Sequence, residues 1–391
     1  SDHYRDYGYH GGIRSNGFLN SWWPKQVLSN QHGNGDTPYR DRDDGQPTTG
    51  PALSATLLAA NRSDYPAEMA RHALCDAWHK ERTPDLSRIT VPVLSAGNWG
   101  GPGNHLRGNI EGYLRAGSAQ KWLSMHIGTH YESFYLPRYI ALQKQFFDHF
   151  LKGLPNGWDQ TPPVLLSIRT LDGETRRAEH EFPLARTQWT KFHLHPGNAA
   201  LDTAAPAQTA SAGFQAQEEH LDFTTPPFEA TTEITGFIPL RIWVSSSTRD
   251  VDLFAVLRLF DPDGKEIVFD GAHEPTPVTR GWLRASHRKV DEQMSIPNRI
   301  FHTHDEIQKI EPGTAYPLDL EIWPTSIVIP RGYRLRLTIQ GKDFEFEGIK
   351  GRLTHTDPAD RGGQDFQGRT TVYGGPERAS YLTLPIIPAA G

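Results

Sequence analysis

Residues 89–151 constrain the fold more than any other part of this sequence. Two short apolar runs, 89–96 and 121–127, each end at a turn that is rich in glycine or carries histidine. Each is followed by apolar residues at three- and four-residue steps, over 106–116 and 139–151. Strand, loop and helix repeated in this way predict a parallel α/β sheet, because parallel neighbours need a helical crossover between them. In such sheets ligands and catalytic groups collect in loops at the carboxyl ends of the strands. Those loops are 97–105 and 128–135, so chemistry in this half is expected there.

The flanking regions read differently. Residues 1–50 are rich in Gly, Asn and Asp with scattered aromatics, and suggest an irregular segment with one short helix near 18–28. Residues 51–88 carry helical spacing, with Pro66 near the start of a second helix and Pro84 beyond its end. By analogy such an insertion reads as a helical cap over the α/β unit. The stretch 154–163, with three prolines and a glycine, marks a domain boundary. From 164 onward short alternating runs at 164–169, 190–194, 234–245, 254–261, 318–323, 333–339 and 381–387 predict strands. Turns such as Asp261-Pro262-Asp263-Gly264 divide them, which predicts an all-β sandwich of the jelly-roll type. The Ala- and Thr-rich segment 198–213 reads as a flexible crossing loop. The expected fold class is therefore α/β followed by a jelly-roll sandwich, divided as 1–50, 51–88, 89–153 and 160–391.

Charge and cysteine content narrow the function. Forty basic against 46 acidic residues give a net charge of −6 and a pI near 6.3, which argues against a nucleic-acid or anionic-membrane partner. There is no apolar run of the length that a membrane-spanning helix needs. The single cysteine, Cys75, rules out an intrachain disulfide and cysteine-based zinc sites, and suits a reducing, cytoplasmic setting. No cofactor or metal is called for. His302-Thr303-His304-Asp305 looks like a metal cluster by composition, but no partner set has zinc-like spacing.

Six strings, taken in order, carry a resemblance: YRDYGYHGGI, VPVLSAGNWGG, KWLSMHIGTHYESFY, LQKQFFDHFLKG, GWLRASHRKVD and EIWPTSIVIPRGYRLRL. Together they resemble the CocE/NonD hydrolases, relatives of the X-Pro dipeptidyl-peptidase family (serine peptidase family S15). The resemblance implies an α/β-hydrolase domain with a helical cap, a jelly-roll C-terminal domain, and Ser-His-Asp hydrolysis of a small-molecule ester or amide. Family members carry the nucleophile on a G-x-S-x-G elbow. No serine here has glycines at both positions, and the resemblance places the elbow upstream of Ser1. An N-terminal fragment or separate chain of about 200 residues or fewer is then the expected partner carrying it. Packing of the jelly roll against a second copy, as a homo-oligomer, is a further expectation from the family.

The same resemblance assigns His130 as the catalytic histidine, which would take the serine's proton and return it to the leaving group. Without the family, His130 reads as a loop histidine bonded to backbone; His126, inside the strand, reads as a core residue. The acid is where the sequence departs. Relatives carry Gly-Gly-Trp-x-Asp, whereas this chain has Gly97-Asn98-Trp99-Gly100-Gly101, with no carboxylate between Asp85 and Glu111. Three readings stay open. Another acid serves, from the absent piece or from Glu132; Asn98 or Asn104 orients the imidazole; or the chain is an inactive homologue whose jelly roll binds a ligand through Trp243, Trp282 or Trp323. Trp99, His105 and Arg107 are candidates for the substrate pocket, with plain packing an equal reading. Tyr4-Arg5-Asp6 reads as an Arg–Asp pair anchoring the N-terminal segment.

Overall fold

The computed structural model describes residues 2–272 and 275–389. Both expected crossovers form: β1 (Val93–Asn98), α1 (Leu106–Arg115), β2 (Lys121–His126) and α2 (Pro137–Lys152). β1 and β2 run parallel, from Val93 opposite Lys121 to Asn98 opposite His126, so both strands end level with each other. α1 buries Leu106, Ile110 and Tyr113, a four- then three-residue spacing that lays one helix face on the sheet. α2 stops at Gly153, whose φ of 66° is the left-handed conformation that glycine adopts without a side-chain clash.

The next strand, β3 (Val164–Thr170), departs from expectation. Sequence assigns it to the sandwich, but Val164–Leu166 pair in parallel with Leu123–Met125 of β2. Farther along, Arg169 bridges to Ile327 of the long strand Tyr316–Ile329, so β3 joins the parallel sheet to the sandwich. Its burial on both faces explains the misreading: a strand covered on both sides shows no alternation to say which sheet it belongs to.

The sandwich is built on two long strands, Thr232–Ser246 and Tyr316–Ile329, paired antiparallel along almost their whole length. Asp252–Phe260 pairs with both Thr279–Arg284 and Arg334–Gln340. Gln188–His195 and Tyr381–Ile387 form another antiparallel pair. The segment expected to be a flexible loop instead contains Ala200–Asp202 and Ala210–Gln215, and the second lies antiparallel to Arg369–Gly374. Its small residues carry little strand signal, because backbone pairing supplies the order that side-chain pattern does not.

One core lies within the sandwich and another joins it to the parallel-sheet half. The first fills the sandwich with Leu240, Ile242, Leu257, Leu320 and their neighbours. The other lies between the halves, where Trp99, Leu106 and Leu123 meet Phe237, Phe254, Trp282 and Trp323. A shared core of this kind resists hinge motion between the units. Trp282 and Trp323 are thereby buried, edge to face at 5.7 Å, which removes two of the three tryptophans considered for ligand binding.

The N-terminal segment is anchored against both halves. Tyr4 stacks on Tyr9 at 4.6 Å, and their hydroxyls donate to Ala73 O and Met69 O. Those acceptors belong to the region of short helices Ala55–Ala60, Tyr65–Arg71 and Ala77–Glu81, each N-capped by a side chain (Ser54, Asp64, Asp76). Arg5 does pair with an aspartate, but with Asp2 at 2.7 Å rather than Asp6, and it also binds His302 O. Gly11 donates no bulk where its carbonyl meets Arg284 N: a Cβ there would lie 2.0 Å from Trp282 O. Among the described residues no helix is long and apolar enough to cross a membrane.

Candidate active site

The level ends of β1 and β2 put their two following loops side by side, and a single side chain ties them together. Asn98, the last residue of β1 and largely buried, donates from Nδ2 to Gly128 O (2.9 Å) and Thr129 O (3.3 Å). Its Oδ1 accepts from Gly100 N at 2.7 Å. Both amide hydrogens are therefore spent on backbone carbonyls of the second loop, and Oδ1 holds the backbone of the first. Asn98 fixes the turn that precedes His130. Gly128 in that turn has φ of 93°, which reverses the chain immediately after β2.

His130 emerges from this turn half-buried and lies against His105, ring centroids 4.8 Å apart and 23° from parallel. Tyr131 packs edge-on against it at 4.5 Å. Partial burial holds the His130 pKa below the ordinary histidine value. Burial first, and then the neighbouring His130, push His105 down to about 4. Both rings are neutral near pH 7, as a proton-accepting imidazole must be. Glu132 accepts from the Thr129 hydroxyl at 3.3 Å, on the same turn.

His130, His105 and Asn104 line an open cleft of about 1140 Å³. The lining also includes Tyr7 and Trp23 from the N-terminal segment, Tyr65 from the short helices, and Ala272 from the sandwich side of the chain. The structure thus brings three of the sequence-nominated residues to one place. It sends two elsewhere. Trp99 is 1% exposed in the inter-unit core and donates to Ser167 O at 2.8 Å. Arg107 is 3% exposed and spans Asp6 (3.0 Å) and Glu321 (3.1 Å) in a buried ion cluster. Neither is among the residues lining the cleft, which takes His105, Gly108 and Asn109 from this part of the chain instead.

His126 stays with the sheet, 5.4 Å from Tyr139, its pKa lowered to about 4 chiefly by burial. His302 and His304 are buried, and among the described residues no group of three or more His, Cys, Asp or Glu side chains is placed to hold a metal ion. Sequence reasoning missed His3, Tyr7 and Tyr65, which line the cleft, and His79, buried behind them. These come from separate segments with no shared spacing, so no motif announces them.

Residues 156–383 match the model of the X-Pro dipeptidyl-peptidase C-terminal non-catalytic domain. A CocE/NonD family hydrolase from Staphylococcus aureus superposes with a TM-score of 0.85 at 28% identity, covering 99% of this chain and 66% of that one. Cocaine esterase from Rhodococcus is 22% identical over 286 residues, 63% of this chain and 46% of its own length. A Mycobacterium tuberculosis protein that carries the name of a serine esterase is 25% identical over 62% of this chain and 40% of its own. The chain belongs to the CocE/NonD and X-Pro dipeptidyl-peptidase-like family of hydrolases. It spans less than half the length of these curated relatives in the matched region.

Proposed function

We propose that this chain is the histidine-bearing part of a serine hydrolase that cleaves carboxylic esters or amides, with the nucleophilic serine on a segment outside this sequence. The observation that carries the reading is His130: a neutral imidazole at the carboxyl end of a parallel strand, its turn pinned by Asn98, opening onto a large cleft. In the proposed reaction His130 takes the serine hydroxyl proton as the oxygen attacks the substrate carbonyl. The proton passes to the leaving oxygen or nitrogen, and water repeats the sequence to release the acid. The unit of β1, α1, β2 and α2 would then be the end of an α/β-hydrolase domain, with the short helices 55–81 as its cap.

A fluorophosphonate probe tests this directly. It should label the longer protein and leave this chain unlabelled, and His130→Ala in the longer protein should lower ester hydrolysis by about 10²–10⁴-fold, the usual worth of a general base. Labelling of this chain alone refutes an external nucleophile. Full activity of His130→Ala removes the catalytic assignment and favours a binding role for the cleft.

A further inference from the structure

From the lining of the cleft that holds His130 a chain of hydrogen bonds runs inward, and its direction is set by one atom. At its inner end His79 Nε2 lies 2.8 Å from His72 O. A carbonyl only accepts, so the proton of neutral His79 is on Nε2 and its Nδ1 is an acceptor. His3 Nδ1 lies 2.8 Å from that Nδ1 and must donate to it. His3 Nε2 is then an acceptor, and the Tyr65 hydroxyl, 2.6 Å away, donates its only hydrogen there. The remaining bond, between Tyr65 and Tyr7, has one available hydrogen, that of Tyr7. The chain therefore runs Tyr7 to Tyr65 to His3 to His79 to His72 O, without a choice at any step.

The consequence appears at the outer end. Tyr7 lines the cleft with its hydrogen already committed, so its oxygen can offer only lone pairs to a ligand. Burial keeps this state neutral: it holds His3 at about 4 and raises both phenols above their ordinary values. Beside the pair, Trp23 stacks on Tyr65 at 5.4 Å, and Phe18 on Trp22 at 5.9 Å, which supplies flat apolar surface in the same cleft. The Asp6 carboxylate, also in the cleft lining, is taken up by Arg107 and Asp2 N, so it is not an anchor for a substrate amine.

We infer that Tyr7 and Tyr65, locked by His3 and His79, form a substrate subsite that accepts a hydrogen bond from a hydroxyl or amide N–H attached to an aromatic or apolar body. This rests on the cleft being the site of hydrolysis, and it adds a selectivity to that reading: substrates carrying such a donor are favoured over analogues in which it is methylated. An acceptor that cannot rotate its hydrogen back loses a net hydrogen bond, about 0.5–1.5 kcal/mol, when the ligand has no donor. That is roughly a two- to tenfold preference.

The test needs no catalysis, so its failure is separable from failure of the hydrolase assignment. First, nitrogen-15 NMR of the histidine-labelled chain at pH 7.5 should show His3 protonated on Nδ1 and unprotonated on Nε2. Second, phenol and anisole, which differ in the donor, are titrated against tryptophan fluorescence. The wild-type chain should bind phenol about fivefold more tightly. Tyr65→Phe keeps Tyr7 in place but frees its hydrogen, so the ratio should fall to twofold or less with anisole binding no weaker. Protonation of His3 on Nε2, equal binding of the two probes by the wild type, or an unchanged ratio in Tyr65→Phe overturns the inference.

Discussion

Replacing Asn98 with alanine tests whether the turn before His130 is held by the bonds described. The side chain makes three hydrogen bonds, to Gly128 O, Thr129 O and Gly100 N, and is mostly shielded from water. At about 1 kcal/mol net for each, Asn98→Ala should cost about 2–3 kcal/mol. Asn98→Asp should cost at least as much, because a carboxylate keeps the bond from Gly100 N but sets negative oxygen against two carbonyls to which it cannot donate. Hydrogen exchange gives the local readout: a loss of about 3 kcal/mol lowers protection of the Gly100 amide roughly 100-fold. Denaturant titration followed by tryptophan fluorescence gives the global one. In the longer protein the same change should reduce kcat tenfold or more with little effect on KM, since a displaced base binds nothing but reacts slowly. A stability loss under 0.5 kcal/mol with Gly100 still protected refutes the argument.

Adjacent glycines should behave oppositely. A Cβ at Gly100 would sit 2.7 Å from Asp270 O, so Gly100→Ala should cost about 1–3 kcal/mol in denaturant midpoint analysis. A Cβ at Gly101 meets nothing closer than 3.4 Å, so Gly101→Ala should fold with near wild-type stability. Arg107→Met should destabilise by about 3–5 kcal/mol by leaving Asp6 and Glu321 buried without their cation, and adding Glu321→Gln should restore part of the loss. Acid should weaken the fold through its buried histidines. His302 is depressed from 6.5 to about 4, mainly by burial, so the unfolded chain binds the proton first as pH drops. Its stability contribution is complete above pH 6.5 and is lost as pH falls towards 4. Thermal melts at pH 7, 5.5 and 4.5 should show this slope, and His302→Gln should flatten it.

How much of this was legible beforehand depends on the kind of signal. The crossovers were readable because helix and strand periodicities are local: α1 and α2 lie within a residue or two of where apolar spacing puts them. The position of His130, just past a strand end, was readable because a histidine after an apolar run is a local feature too. The sandwich strands Thr232–Ser246 and Tyr381–Ile387 follow from alternation, whereas Ala210–Gln215 does not, since its order comes from pairing with Arg369–Gly374 far along the chain.

What the sequence alone determined, then, was the class and order of the crossover elements and of the strongly alternating sandwich strands, and the nomination of His130. Tertiary structure decided everything that depends on facing direction. It turned Trp99 and Arg107 into the core and gave Asn98 to the backbone. It also made β3 the seam between two sheets and assembled His3, Tyr7, Tyr65 and His79 from three segments into one directed chain. The physical reason is common to all of these. Periodicity encodes which face of an element is apolar, but not which distant donor or acceptor will meet its polar groups once those faces are buried.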